Sequence, residues 1–415
     1  MTNRMGQKCD MSTTNLDKNH IRVPYGMTVH GEEEIEAVVR VLRTSTQMGP
    51  NTREFEAKIA AEFSKSHGVM VNSGSSALFL GMEVLGLPPG GEVITPALTF
   101  ATTAGSIVKN GLVPAFVDVG PTSYVIDVDR VEAMITDNTV AMCIPNLMGN
   151  IPDWDALSRL ARKNGLKILE DSADIIGGKY KGSKIGYYSD ITISSFYGMH
   201  VINCAGNGGI ACTNSQEYAD QLRLLRSWGR SSSLFVESEN VENRFNVTVD
   251  NIPYDAKFVF ETIGYNLEGS ELGAAFGLVQ HRKLPDILSR RKAVAEAHVN
   301  FFRRYEEWFE LPRQNPDADT IWFAFPLIVR ENAPFSRRDV QIFLEKRNIQ
   351  TRVVFTGNIT RQPGFSSIRA RMDPAGYPNS DRIMRQGFLI ASHHGMTEEM
   401  LAHLHDSFEI FANQF

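Results

Sequence analysis

Short apolar runs alternate with amphipathic ones between residues 69 and 169, and this rhythm restricts the fold more than any other feature of the chain. Val69-Met70-Val71, Val93-Ile94, Ala115-Phe116-Val117, Val140 to Ile144 and Lys167-Ile168-Leu169 read as strands. Ser76 to Leu85, Thr102 to Lys109 and Asp153 to Asn164 lie between them and read as helices. Strands joined by crossover helices run parallel and are covered on both faces, so the spacing predicts an α/β fold with a mostly parallel sheet. Two further helices are expected ahead of the sheet. Gly31 to Arg43 carries Ile35, Val38, Val39 and Leu42 at helical spacing behind a Glu-rich first turn, and Phe55 to Phe63 repeats the pattern. After Trp228 the polar segment RSSSLFVESENVENRFNVTVDNIPYDAK has neither period and predicts a long loop. Ser270 to Ala297 reads as one long helical tract. Strand-like Ile321 to Val329 and Thr351 to Phe355, with helices near Arg338-Glu345 and Thr397-Phe411, predict a smaller C-terminal α/β domain. The expected division is a flexible arm at 1–22, a large domain at 23–280 and a small one at 281–415.

With 415 residues, 42% apolar and 22% charged, the chain has the make-up of a soluble globular protein with two substantial cores. A net charge of −6 argues against wholesale binding to nucleic acid or anionic membranes and favours small charged substrates. Cys9, Cys143, Cys204 and Cys212 are scattered without a C-x-x-C pair, so neither a disulfide framework nor a zinc ribbon is expected. The first twenty residues are polar, unlike a signal peptide, and no later run reaches the length of a membrane span. A cytoplasmic location is the expectation.

In open α/β sheets ligands gather where strands end and helices begin, because free backbone N–H groups there favour an anion. Asn72-Ser73-Gly74-Ser75-Ser76-Ala77-Leu78 lies at such a junction. Gly74 would let the backbone approach a phosphate while Ser75 and Ser76 donate; an ordinary helix cap is the alternative. Asp171 follows a strand in Leu169-Glu170-Asp171-Ser172-Ala173-Asp174, where a carboxylate can keep a pyridine nitrogen protonated or else simply close a turn. Phe100 ends Thr95-Pro96-Ala97-Leu98-Thr99-Phe100 and could cover a planar cofactor or pack in the core. His200 closes Ile193-Ser194-Ser195-Phe196-Tyr197-Gly198-Met199-His200, either as a packed or solvent-facing residue or as a proton carrier.

Nine segments in order carry a resemblance: SGSSAL, PALTF, EDSAD, SSFYGMH, GNGGI, RSWGR, GYNLEGSELGAAFGLVQ, TRVVFTGNITRQPGF and ASHHGMTEE. From about Val23 onward the chain resembles the sugar-modifying aminotransferases of fold type I that depend on pyridoxal 5'-phosphate (PLP), the DegT/DnrJ/EryC1/StrS group. The resemblance implies an aspartate aminotransferase-like α/β fold, with a seven-stranded, mostly parallel sheet in the large domain and a smaller C-terminal domain. It also implies a homodimer with active sites at the subunit interface. Gly74, Ser75 and Ser195 would hold the cofactor phosphate, Phe100 would stack on the ring and Asp171 would meet the pyridine nitrogen. Asp174 would lie near the ring hydroxyl, where many relatives have Gln. Asn266 would reach the phosphate from the neighbouring subunit.

His200 stands where most of that family has the lysine that tethers PLP. An imidazole cannot form a stable imine with the cofactor. In this the chain looks like a minority branch, the NDP-4-keto-6-deoxyhexose 3-dehydratases, and TRVVFTGNITRQPGF resembles the same branch. One type of this branch carries a [2Fe–2S] cluster; the other acts on a GDP-linked hexose without one. Ala173, Ser231, Ser233 and Val241 stand at the positions of the four cluster cysteines, and a thiolate-ligated cluster cannot form from them. Cys204 and Cys212 flank the GNGG segment and read as structural; Asn207 stands where most relatives have Glu.

The resemblance therefore implies removal of the C3 hydroxyl from a nucleotide-linked 4-keto-6-deoxyhexose, with His200 as the catalytic base. Pyridoxamine 5'-phosphate (PMP) would be the working form, regenerated from glutamate, with ammonia released, no iron–sulfur cluster and no metal. Such dideoxysugars serve lipopolysaccharide O-antigen. A nucleotide-sugar 4-aminotransferase and an inactive PLP-binding dimer partner remain as alternatives. His393 and His394 precede a turn similar to the family's ligand-facing loop, which leaves both an approach to the site and a solvent-facing position open. His30, His67, His281, His298, His403 and His405 show no metal-site pairing.

Overall fold

The computed structural model describes residues 21–235 and 240–415, so the expected arm at 1–22 lies almost wholly outside the described residues. Every expected strand of the first half is present. β1 is His67–Val71, β2 Glu92–Pro96, β3 Val113–Val117, β4 Thr139–Pro145 and β5 Lys167–Asp171. The helices are α1 Glu32–Leu42, α2 Pro50–Glu62, α3 Gly74–Val84, α4 Ala101–Lys109 and α5 Trp154–Asn164. Two strands that the alternation does not single out, β6 Ile191–Ser195 and β7 Gly209–Thr213, complete a seven-stranded sheet of order β1-β7-β6-β5-β4-β2-β3. Pairing is parallel from β6 to β3, and β7 runs antiparallel to both of its neighbours.

Period-two alternation sends neighbouring residues to opposite faces. Met70, Ile94, Met142, Ile168 and Ile210 enter one core with Phe55 and Trp154. Val69, Val93, Ala141, Leu169 and Ala211 enter the other with Leu78 and Leu80. Burial on both faces explains why these strands are apolar throughout.

α6, Gln216–Arg226, precedes the segment expected to be a structureless loop. That segment instead holds a hairpin, Val247–Val249 with Ile252–Tyr254, turned at Asp250 and Asn251, whose φ values are 54° and 65°. Left-handed pairs of this kind match the strand twist, and Asp and Asn tolerate them best after glycine.

The tract from Ser270 divides into α7, Glu271–Arg282, and α8, Leu284–Phe302, with Pro285 in the first turn of the second helix. Leu284 and Ile287 pack with the large sheet, whereas Ala295, Phe301 and Phe302 join a further core. The passage from one core to the next thus lies inside α8. Val23 and Tyr25 also join this further core, and Val23 bridges Ile349.

A second, antiparallel sheet of order β8-β9-β11-β10 is built from β8 Phe309–Glu310, β9 Phe325–Val329, β10 Arg352–Val353 and β11 Gly387–Ile390. Helices α9 Arg337–Lys346, α10 Pro378–Gln386 and α11 Glu398–Ala412 accompany it. Its strands are shorter than the apolar runs suggested: residues 321–324 precede β9, and β10 spans two residues. Among the described residues no helix is long and apolar enough to cross a membrane.

Candidate active site

The carboxyl ends of β1, β2, β4, β5 and β6 open into one cavity of about 580 Å³. Each contributes residues at or soon after its end: Ser73, Gly74 and Ser75; Phe100 and Thr103; Leu147; Asp171 and Asp174; and Ser195, Tyr197 and His200. Arg352 and Leu389 close it from the second sheet, Phe323 and Phe355 from the segments beside its strands, and Tyr25 from the N-terminal segment.

Gly74 opens α3 against Ser195 so closely that an added Cβ would stand 2.5 Å from the Ser195 Cβ and 2.9 Å from its Oγ. This contact makes a cradle of backbone N–H and hydroxyl groups that only glycine permits. Ser73 caps the helix, its hydroxyl accepting the Ser76 N–H at 3.1 Å. Ser76, expected to face a phosphate, instead donates to the Asn72 side chain at 2.6 Å, while Ser75 stays exposed on the cavity.

Asp171 is buried, accepting the Thr103 hydroxyl at 2.8 Å through Oδ2 and the Ala173 N–H at 3.1 Å through Oδ1. Burial raises its pKa, and the hydrogen bonds from Thr103 and Ala173 oppose the rise by favouring the carboxylate. Asp174 accepts the Met148 N–H at 2.8 Å, and burial pushes it up to about 7, with the nearby Asp171 adding to the rise. Beneath both, the Glu170 carboxylate accepts from Asn146, Ser172 and the Gly186 N–H, which holds the strand end in place.

His200 reaches the cavity from the turn after β6, with its Nδ1 2.6 Å from the Ala173 carbonyl oxygen. A carbonyl can only accept, so Nδ1 carries the proton and the Nε2 lone pair is left as a base. Burial pushes its pKa down to about 4 despite that hydrogen bond, which keeps the ring neutral at physiological pH. The ring edges of Phe323 and Tyr197 hold it at 5.2 and 6.1 Å.

Phe100 is 51% exposed, with its ring edge-on to Phe355 at 6.3 Å, so it belongs to the cavity wall and not to the core. Of the sequence-derived site residues, Ser76 and Asn266 do not line the cavity. Asn266 is exposed and bridges Ser227, next to the exposed side chains of Ile263 and Tyr265. His393 and His394 line neither the cavity nor the surface: both are buried, and His393 Nε2 bonds the Pro24 carbonyl at 3.0 Å. His298 and His405 do pair, Nδ1 to Nε2 at 3.0 Å, yet among the described residues no three potential ligands gather into a metal site.

Sequence reasoning missed Thr103, Tyr25, Phe323 and Arg352. Thr103 had a faint signal, standing one turn into the helix that Phe100 opens; the others become neighbours of the site only through folding.

Residues 28–409 match the family model described as the DegT/DnrJ/EryC1/StrS aminotransferase family. The dTDP-4-dehydro-2,6-dideoxy-D-glucose 3-dehydratase of Saccharopolyspora spinosa is 35% identical over 94% of this chain and 86% of its own. The GDP-4-keto-6-deoxy-D-mannose 3-dehydratase of Yersinia pseudotuberculosis is 27% identical over 94% of this chain and 98% of its own. The solved E. coli GDP-4-keto-6-deoxy-D-mannose-3-dehydratase with bound hydrated PLP superposes with a TM-score of 0.85 at 24% identity, covering 94% and 99% of the two chains. The fold is that of the type I PLP-dependent transferases, and the chain belongs to the DegT/DnrJ/EryC1/StrS aminotransferase family.

Proposed function

We propose that this protein is a PLP/PMP-dependent 3-dehydratase that converts a nucleotide-linked 4-keto-6-deoxyhexose to the 3,6-dideoxy-4-keto sugar. The observation that carries this reading is His200. It presents a neutral imidazole, its Nδ1 bonded to the Ala173 carbonyl, to a cavity that, among the described residues lining it, contains no lysine. PMP, when bound, supplies an amine for the C4 ketone of the sugar and a conjugated path for the electrons displaced from it.

The remaining work falls to the chain. The Gly74, Ser75 and Ser195 cradle receives the phosphate, Phe100 covers a ring face, and Asp171 holds the pyridine nitrogen protonated. Asp174 faces the ring hydroxyl, and a raised pKa suits a carboxyl that shares a proton with it. His200 Nε2 takes up the proton released as the C3–O bond breaks and passes it to the departing oxygen, which leaves as water. Glutamate restores the amine, becoming the 2-oxo acid, and the nitrogen leaves the sugar as ammonia. The chain thus acts without an iron–sulfur cluster, because Ala173, Ser231, Ser233 and Val241 offer no thiolate.

The reading includes a homodimer in the cytoplasm. Asn266 lies outside its own cavity, beside the exposed apolar residues Phe258, Phe260 and Ile263, as a residue that serves a second copy would. It also includes the division into a cofactor-binding part at 23–280 and a smaller part at 281–415. The nucleotide is open, since relatives named for dTDP- and GDP-linked sugars both match along nearly the whole chain.

The test is incubation with PLP, glutamate and a panel of GDP-, dTDP- and CDP-linked 4-keto-6-deoxyhexoses, followed by the mass of the sugar and an ammonia assay. A 3-deoxy ketone with free ammonia is expected. A 4-amino sugar that retains its C3 oxygen means the protein is an aminotransferase, and absence of turnover on every substrate means a binding partner. Borohydride treatment that fixed the cofactor to any lysine would also defeat the reading.

A further inference from the structure

Arg352 is the only arginine or lysine among the described residues that line the cavity. Its guanidinium has five donors and uses one within the described structure, Nη1 to the Thr351 carbonyl at 2.7 Å. One face lies 5.5 Å from the Tyr25 ring centroid. No carboxylate pairs with it among the described residues, although two carboxylates, Asp171 and Asp174, line the same cavity.

The group is nonetheless held in place. Thr351 donates to Glu345 Oε1 on α9 through its N–H at 2.6 Å and its hydroxyl at 3.0 Å, and the Tyr25 N–H donates to Gln350 at 3.1 Å. Arg352 is therefore a cation with a fixed base, one face against an aromatic ring and an unfilled fork of donors.

The cavity has a separate anion cradle at Gly74 and Ser195, on the large-sheet wall, so Arg352 on the β10 wall serves a second anion. We propose that Arg352 binds a carboxylate of the amino donor, the planar fork matching a carboxylate through two parallel hydrogen bonds. This deepens the proposed function and rests on that reaction's need for an amino donor. The other anion that enters the same cavity is the diphosphate of the nucleotide sugar, and the experiment separates the two.

Glutarate has both carboxylates of glutamate and no amine, so it reports anchoring without reaction. It is titrated calorimetrically into the PLP-loaded protein, with GDP and dTDP as separate probes. A lost pair of charge-assisted hydrogen bonds predicts that Arg352→Gln raises the glutarate Kd by about tenfold to a hundredfold, while nucleotide binding changes less than about threefold. Arg352→Lys recovers part of the loss, because the charge returns without the fork. Three results overturn the proposal: no glutarate binding to the unaltered protein, unchanged glutarate affinity in Arg352→Gln, or a loss of nucleotide affinity equal to or greater than the loss for glutarate. No sugar is present, so the dehydratase reading can fail on its product while Arg352 stands, and the reverse.

Discussion

The Gly74–Ser195 contact can be tested by making one substitution at two helical glycines. At Gly74 a new Cβ would stand 2.5, 2.9 and 3.2 Å from Ser195 Cβ, Oγ and Cα, and two of these are atoms that no side-chain rotation can move. The start of α3 or the end of β6 must therefore shift. Overpacking of this kind costs about 1–3 kcal/mol, and the helix propensity of Ala returns roughly 0.5–1 kcal/mol. The net expectation for Gly74→Ala is a loss of about 1 kcal/mol, within extremes of about 0 and 2.5 kcal/mol. At Gly105, inside α4, nothing stands within 4 Å of the added Cβ, so Gly105→Ala should gain about 0.5–1 kcal/mol. Urea unfolding followed by far-ultraviolet circular dichroism reads both. PLP titration by absorbance should show weakened cofactor binding only in Gly74→Ala, because only that variant displaces the cradle. Ser195→Gly deletes the clashing Cβ, so the pair Gly74→Ala/Ser195→Gly should show a favourable stability coupling above about 0.5 kcal/mol. If Gly74→Ala raises the urea midpoint as Gly105→Ala does, the close approach is not there and the argument for the cradle fails.

Two further expectations concern buried charge. Asp174 is raised from 3.8 to about 7, so in cofactor-free protein its stabilising contribution is full below pH 3.8 and declines as pH rises to 7. His200 is lowered from 6.5 to about 4, so its contribution is full above pH 6.5 and is lost as pH falls toward 4. At its limit the first amounts to about 4 kcal/mol and the second to about 3 kcal/mol, and the two oppose each other between pH 4 and 6.5. Asp174→Asn should therefore steepen the rise of the urea midpoint between pH 4.5 and 6.5, and an unchanged slope would contradict the assignment. Glu271 caps the start of α2, its carboxylate accepting from the N–H groups of Gly49, Asn51 and Thr52. Glu271→Ala strands those donors in a buried site and should cost about 2–4 kcal/mol, read as a lower urea midpoint. A cost below about 0.5 kcal/mol would show that solvent replaces the carboxylate.

Much of the large sheet was legible because its signals are local. Strands β1 to β5 declare themselves by apolar runs, and the junctions at Gly74 and Asp171 by glycine, serine and acid placed where a strand stops. Strand β7 was not legible, since insertion between β1 and β6 against their direction depends on residues far along the chain. The Asp250-Asn251 turn carries a local signal, a pair of residues that tolerate positive φ, but the polar stretch around it gives the flanking strands no apolar alternation. Domain-scale packing was less accessible: the change of core within α8 and the docking of Val23 beside Ile349 leave no periodic trace.

At the site the same line divides what each level determined. The order of residues by itself settled that an imidazole, and not an amine, follows β6, and that serines and a glycine open α3. Only the tertiary structure decided which nitrogen of His200 carries the proton, because that depends on the Ala173 carbonyl 27 residues earlier. It likewise decided that Thr103 braces Asp171 across 68 residues and that Arg352 enters the cavity from the second sheet. The physical reason is one of range: periodicity and backbone preference act between near neighbours, whereas a hydrogen-bond partner or an unpaired charge is defined by what folding brings alongside it.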